Sequence, residues 1–295
     1  MTTFPQKSYE RHASLYDQKG SSETTSSWKT DTSVDAWRHT RMYLTINPIL
    51  ETDVDANWLT VGDGRFGRDA QYIAQHSGNV LATDISETLL KKAFESGQIQ
   101  KYQVENAEKL SFDDDTFDYV CCKEAYHHFP RPMIRLYEML RVAKKAIILI
   151  EPNDQITTDM ALPSVANWLK RQIRNYFGKP EVRNQFETAG NYLYTISKRE
   201  IEKAALGLGL PIVAFKGIND AYIEGCELEN LSEKGPKYNA ISKKISRRDF
   251  WCRYNVLEPL LLTTIIFKST PDPQLLGNLK ENGYQVIQLP KNPYL

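Results

Sequence analysis

The stretch Val61–Ala70, VGDGRFGRDA, restricts the fold more than any other part of the chain. Gly62, Gly64 and Gly67 stand at G-x-G-x-x-G spacing, after the apolar run NWLTV and before an amphipathic segment. Glycines spaced this way let a nucleotide-like ligand lie against the backbone where a strand turns into a helix. Asp84 ends the next apolar run, NVLATD, where an acid that accepts from a ribose diol belongs. Asp63, inside the turn, disfavours a pyrophosphate, because a helix N-terminus that attracts anions gains nothing from a second one beside it. Arg65 and Arg68 offset part of that charge. A nucleoside carrying a cationic amino-acid end suits the loop better.

Short apolar runs continue at regular intervals. NWLTVG (57–62), NVLATD (79–84), KYQVE (101–105), TFDYVCC (116–122), AIILIE (146–151), PIVAFKG (211–217) and LLTTIIFK (261–268) read as strands. Amphipathic segments separate the first five, including SETLLKKAFESG and RPMIRLYEMLRV, where Met133, Tyr137 and Leu140 mark the apolar face. Strands alternating with helices predict an α/β fold: a Rossmann-like, seven-stranded, mostly parallel sheet with helices on both faces, plus helical inserts. The expected organisation is a single domain over 1–295. It comprises an N-terminal cap (1–45), a cofactor-binding core (46–152), a lid insert (153–196), the C-terminal part of the sheet (197–270, with an insert at 218–255) and a tail (271–295). SKRE at 197–200 is a capping box ahead of Ile201, Ala204, Ala205 and Leu208.

The 37 basic and 37 acidic residues balance, and the tightest basic cluster (Lys243, Lys244, Arg247, Arg248) reads as a solvated helix face. Four cysteines without a C-x-x-C pair suggest neither zinc nor disulfides. The polar N-terminus has no apolar leader core, and LLLTTIIF is too short to span a bilayer. The chain is therefore expected to be cytoplasmic, with a small-molecule acceptor and neither nucleic acid nor membrane as partner.

The segment NAEKLSFDDDTFDYVCCKEAYHHFPRPMIRLYEMLRV (106–142), together with VGDGRFGRDA and Asp84, resembles the class I S-adenosylmethionine-dependent methyltransferases of the small-molecule type. The resemblance covers about 57–151 and extends more weakly to 194–210 and the last two strands. It implies methyl transfer from S-adenosylmethionine to a small molecule, an oxygen nucleophile being expected. It also implies that Gly62, Asp63, Gly64, Arg65, Gly67, Asp84, Ile85, Asn106, Ala107, Glu108 and Lys123 form the cofactor site. In that site Asp63 meets the ammonium group, Asp84 the ribose, Asn106 and Ala107 the adenine, and Lys123 lies beneath the sulfonium. The family usually carries Asp where this chain has Asn106. His128, His127 and Glu151 are the candidate bases, since an imidazole titrates near neutrality and all three lie at the carboxyl edge of the sheet. Glu124 and His127 form half of a carboxylate metal motif without its partner half, so no metal is expected.

Two other readings stand beside this one. A non-catalytic relative could keep the fold as a binding or scaffold module. An NAD(P)-dependent oxidoreductase is raised by Tyr-x-x-x-Lys at Tyr119–Lys123 and Tyr194–Lys198, although neither lies within a helix as that motif requires.

Overall fold

The computed structural model describes residues 4–19, 27–158, 160–178, 186 and 191–294, without the side chains of 12 and 15–19. A central sheet contains β1 (Asn57–Val61), β2 (Asn79–Asp84), β3 (Tyr102–Val104), β4 (Phe117–Lys123), β5 (Ala143–Pro152), β6 (Ile212–Ile218), β7 (Leu261–Phe267) and β8 (Gln285–Gln288). Its order is β3-β2-β1-β4-β5-β7-β6-β8. The pairings from β3 through β5 are parallel, whereas β7 and β8 run antiparallel to their neighbours. The Rossmann-like α/β expectation is met with one correction: the sheet has eight strands, not seven. The four tail residues of β8 pair with β6 and cover what would otherwise be an open edge. A strand of four residues is too short to announce itself by alternation.

Helices cover both faces. Among the described residues they are α1 (Phe4–Lys19), α2 (Val34–Tyr43), α3 (Asn47–Thr52), α4 (Arg68–Ala74), α5 (Glu87–Glu95), α6 (Pro132–Val142), α7 (Ala161–Tyr176), α8 (Lys198–Gly207), α9 (Pro236–Arg253) and α10 (Pro273–Glu281). Alternate residues of each central strand feed two cores. Trp58, Tyr119, Cys121, Ile148 and Ile265 face one, while Leu59, Val120, Cys122, Ile147 and Ile266 face the other. Strands buried on both sides need continuous apolar runs, which is why these were legible. On α6 the inward face is Leu136, Met139 and Leu140; Tyr137, expected inside, is 45% exposed. The capping box forms as expected, with the Ser197 hydroxyl accepting from the Glu200 N–H at 3.2 Å.

The parallel order leaves a crevice beyond the carboxyl ends of β1 and β2, where open α/β sheets bind ligands. The loop after β1 is locked to β2 there: the N–H groups of Gly62 and Asp63 both donate to the Thr83 carbonyl, at 2.9 and 3.0 Å. Parts of the expected cap (1–3 and 20–26) and lid insert (159, 179–185, 187–190), and Leu295, lie outside the described residues.

Candidate active site

A cavity of about 600 Å³, mouth included, occupies this crevice. Val61 and Gly62 line it from the glycine loop, Thr83, Asp84 and Ile85 from the end of β2, and Glu105 and Ala107 from the turn after β3. Glu124, Ala125, His128 and Phe129 enter from the turn after β4 and Arg135 from α6, while Ser8, Tyr9 and Asn191 close it from above.

Two glycines are required by close approach. A Cβ at Gly64 would stand 2.8 Å from Asp84 Oδ2, and one at Gly62, whose φ is +79°, would stand 2.4 Å from Ala125 Cβ. Gly67 serves packing instead: its φ is +61° and a Cβ would meet Ile99 at 2.7 Å. The Asp84 carboxylate thus faces a backbone kept bare for it. It accepts from the Ser86 N–H at 2.8 Å, with the Gly64 and Ile85 amides also directed at it. Burial nonetheless pushes its pKa up to about 6, against those amides and the nearby Arg135 charge. An acceptor that costs this much to ionise is suited to a partner that supplies further hydrogen bonds.

The structure gives several sequence-predicted residues other duties. The Asp63 carboxylate is 2% exposed and turns inward. It accepts from Thr60 Oγ1 at 2.9 Å and from the first amides of α4, Asp69 N–H at 3.1 Å and Ala70 N–H at 2.9 Å. Burial and the charge of Asp69 drive its pKa well up. Arg65 contacts Asp35 and His39 and lies over the Trp28 ring at 4.7 Å. Lys123 is buried, 3.4 Å from Asp69 Oδ1 and 3.8 Å from Glu124 Oε2. Burial alone would lower its pKa, but Asp69 and Glu124 raise it, so it stays charged. The Asn106 side chain accepts from the Glu108 N–H at 3.0 Å in its own turn, leaving Ala107 to line the wall. Glu108 pairs with Arg131 and approaches Arg135 at 3.7 Å. Arg38 pairs with Asp35 and Asp220, and Arg41 donates to the Asn219 carbonyl.

The candidate bases separate in the same way. Glu151 is fully buried and braces the histidine turn: Oε1 accepts from the Ala125 and Tyr126 N–H groups at 2.9 and 2.8 Å, and Oε2 lies 2.6 Å from His127 Nδ1. His128 lines the cavity, and the Asn191 side-chain amide donates to its carbonyl at 2.7 Å. The His127 and His128 rings lie against each other with centroids 3.9 Å apart, tilted by 44°.

Sequence reasoning missed Ser8, Asn191, Arg135 and Glu124 as cavity residues. Ser8 and Asn191, far apart in sequence, hydrogen-bond to each other over the site. Arg135 is buried between the rings of Phe129 and Tyr9, 3.6 and 5.0 Å from their centroids. Glu124 carries a signal, though not a sequence one. Its φ of +50° is uncommon for a residue with a side chain, and such strain concentrates at functional sites. Glu124 Oε2 lies 3.2 Å from His39 Nδ1. His39 is buried among Arg65, Lys123 and Arg38, and burial with those charges holds its pKa well below the usual value. Its Nε2 meets Arg65, and its Nδ1 sits between Glu124 Oε2 and the Lys123 ammonium, each 3.2 Å away.

Glu124 and His127 do not converge on a common metal position, since one meets His39 and the other Glu151. Asp35, Cys226 and Glu227 do lie within 4.8 Å of one another among the described residues. Arg38 and Arg65 already pair with the Asp35 oxygens, and Tyr222 donates to Glu227, so this group is spoken for. The Cys121 and Cys122 thiols are pushed up by burial and are not poised as nucleophiles. Tyr119 points away from the site, its hydroxyl donating to Asp53 at 3.0 Å, which removes the first dehydrogenase-like pair.

With this geometry in view, residues 59–150 match the family described as a methyltransferase domain. The 2-methyl-6-phytyl-1,4-hydroquinone methyltransferase of Synechocystis sp. is 33% identical over 133 residues, 42% of this chain and 37% of that protein. The demethylmenaquinone methyltransferase of Bacillus cereus is 26% identical over 160 residues, 45% of this chain and 68% of that protein. The solved YcgJ protein of Bacillus subtilis aligns with a TM-score of 0.47 at 17% identity, over 78% of this chain and all of that one. Over residues 59–150, about a third of its length, this chain is thus similar to methyltransferase domains. The chain spans little more than a third of the cyanobacterial relative's length.

Proposed function

We propose that this protein transfers a methyl group from S-adenosylmethionine to a small molecule bearing an acidic hydroxyl, with oxygen as the acceptor atom. The observation that carries the reading is Asp84: a buried carboxylate facing the cavity, with Gly64 too close to it for any side chain. That pairing fits a ribose diol held against bare backbone, with Ile85 and Ala107 as apolar walls for the adenine. When bound, the cofactor supplies an activated methyl group on a sulfonium.

The chain's own work is positioning, water exclusion and proton removal. Holding two reactants in line contributes up to roughly 7–11 kcal/mol. Ser8, Tyr9 and Asn191 shut the cavity from above, and Glu151 fixes the turn that aims His128 into it. His128 takes the proton from the acceptor hydroxyl, and Arg135, which also lines the cavity, favours the resulting anion. Arg65, Lys123, Asp63 and His39 hold the loop from behind.

A second reading is favoured by the two relatives named for a hydroquinone and a menaquinone. Once deprotonated, a hydroquinone offers both its oxygen and the adjacent ring carbon as nucleophile. Incubation with methyl-labelled S-adenosylmethionine and a panel of hydroquinones and phenols tests both. A labelled methyl ether supports the first, ring methylation the second, and label on no acceptor, with the cofactor bound, leaves a binding module.

A further inference from the structure

We infer that α7 is a membrane-surface helix that seats this protein on anionic lipid. Leu162, Val165, Trp168, Leu169, Ile173 and Tyr176 recur at helical spacing over about 140° of its circumference. All six are between 47% and 86% exposed. The helix meets the protein through its other side: Pro163 is its one buried residue, and the Asn167 side chain donates to the Gln155 carbonyl at 2.7 Å. This inverts the usual arrangement, in which an amphipathic helix turns its apolar stripe to the core.

Charge decides what covers the stripe. From 161 to 178 the chain has Lys170, Arg171 and Arg174 and no acid, although acidic and basic residues balance over the whole sequence. Lys170 and Arg171 flank the apolar arc on its two sides, about 60° beyond Ile173 and Trp168, placed for lipid headgroups while Trp168 and Tyr176 occupy the interfacial layer; Arg174 stands on the side that meets the protein. A second copy docking helix to helix would oppose cation to cation with no carboxylate on α7 to pair them. Exposed aromatic residues also stand on α9. Arg248 of α9 donates to the Gln155 side chain at 2.6 Å, beside the α7 contact, and exposed Phe250, Trp251 and Tyr254 follow it. Lys243, Lys244 and Arg247 are exposed on the same helix. The sequence alone, weighing only spanning segments, carried no sign of a lipid partner; among the described residues no helix is long and apolar enough to cross a membrane. A helix lying in the interface does not need to be.

Co-sedimentation of the full chain with vesicles of equal parts phosphatidylglycerol and phosphatidylcholine, and with phosphatidylcholine alone, tests the inference. The expected result is binding to the anionic vesicles that weakens at least tenfold in 0.5 M salt and at least tenfold in the Leu169→Glu, Ile173→Glu double variant. These side chains are half exposed and outside the cavity, so the variant should fold and bind S-adenosylhomocysteine as before, which separates this test from the proposed activity. Wild-type protein staying in the supernatant, or a variant that sediments equally well, overturns the inference. So does a dimer in solution that the variant dissociates without any vesicle binding.

Discussion

Asp63 lies within the glycine loop and Asp84 packs against it, both buried and both raised in pKa by burial, yet one faces the fold and the other the cavity. Asp84 looks into a cavity, where amides are its neighbours and no side-chain cation neutralises it directly. Asp63 looks into a packed network of Thr60, Asp69, Lys123, Arg65, Asp35 and His39, where its oxygens are already taken by the fold. The comparison separates two uses of one motif: on the cavity side backbone amides hold a carboxylate that faces open space, and on the network side side chains and helix amides enclose one within the fold. Replacements on the first side should affect binding and rate; replacements on the second should affect folding.

The largest effect is expected from His128→Ala, which removes the base in the cavity and should lower kcat by about 10²–10⁴-fold while leaving the melting temperature nearly unchanged. Steady-state kinetics and a thermal melt measure both; a rate within threefold of wild type would move the proton to another group. On the network side, Lys123→Met leaves Asp69 and Glu124 without their buried cation. It should cost about 3–5 kcal/mol of stability, read by denaturant unfolding, with S-adenosylhomocysteine affinity of the folded protein little changed. A large loss of affinity at intact stability would place Lys123 in the cofactor site after all.

Asp84→Asn should act in two directions. Affinity for S-adenosylhomocysteine falls by about 1.5–3 kcal/mol, the value of a hydrogen bond to a charged group. Stability of the protein without cofactor changes with the opposite sign. The carboxyl titrates near 6 when folded against 3.8 when unfolded, so its contribution to stability is full below 3.8 and is lost as pH rises through about 6. Removing the charge should therefore stabilise the protein at pH 8, by up to about 3 kcal/mol at 1.36 kcal/mol per pKa unit, and have no such effect at pH 3.5. The smallest effect is on the wild type itself: affinity should be flat from pH 7 to 9 and fall at most about tenfold per unit below about 6, as the acceptor protonates. Affinity independent of pH down to 5 would mean that Asp84 is not the ligand's acceptor.

The same contrast explains what the sequence disclosed. The parallel sheet was legible because strands covered on both faces are apolar throughout, and Gly62, Gly64 and Asp84 because close approach leaves few alternatives. Spacing along the chain shows which residues share a loop but not which way each side chain turns, so Asp63, Arg65 and Lys123 look like ligand contacts until α2 and α4 are seen to absorb them. Glu151 is invisible as a brace for the same reason: its partners are backbone amides that any sequence would supply. Ser8 and Asn191 meet only in three dimensions. The short β8 and the outward stripe of α7 depend on what packs beside them, which periodicity does not specify.

Isothermal titration of the wild-type protein and of Asp84→Asn with S-adenosylhomocysteine at pH 7.5 bears most directly on the central proposition. Micromolar binding by the wild type, at least tenfold weaker in the variant, is the predicted result. No measurable heat from correctly folded wild-type protein, or equal affinities for the two, contradicts it.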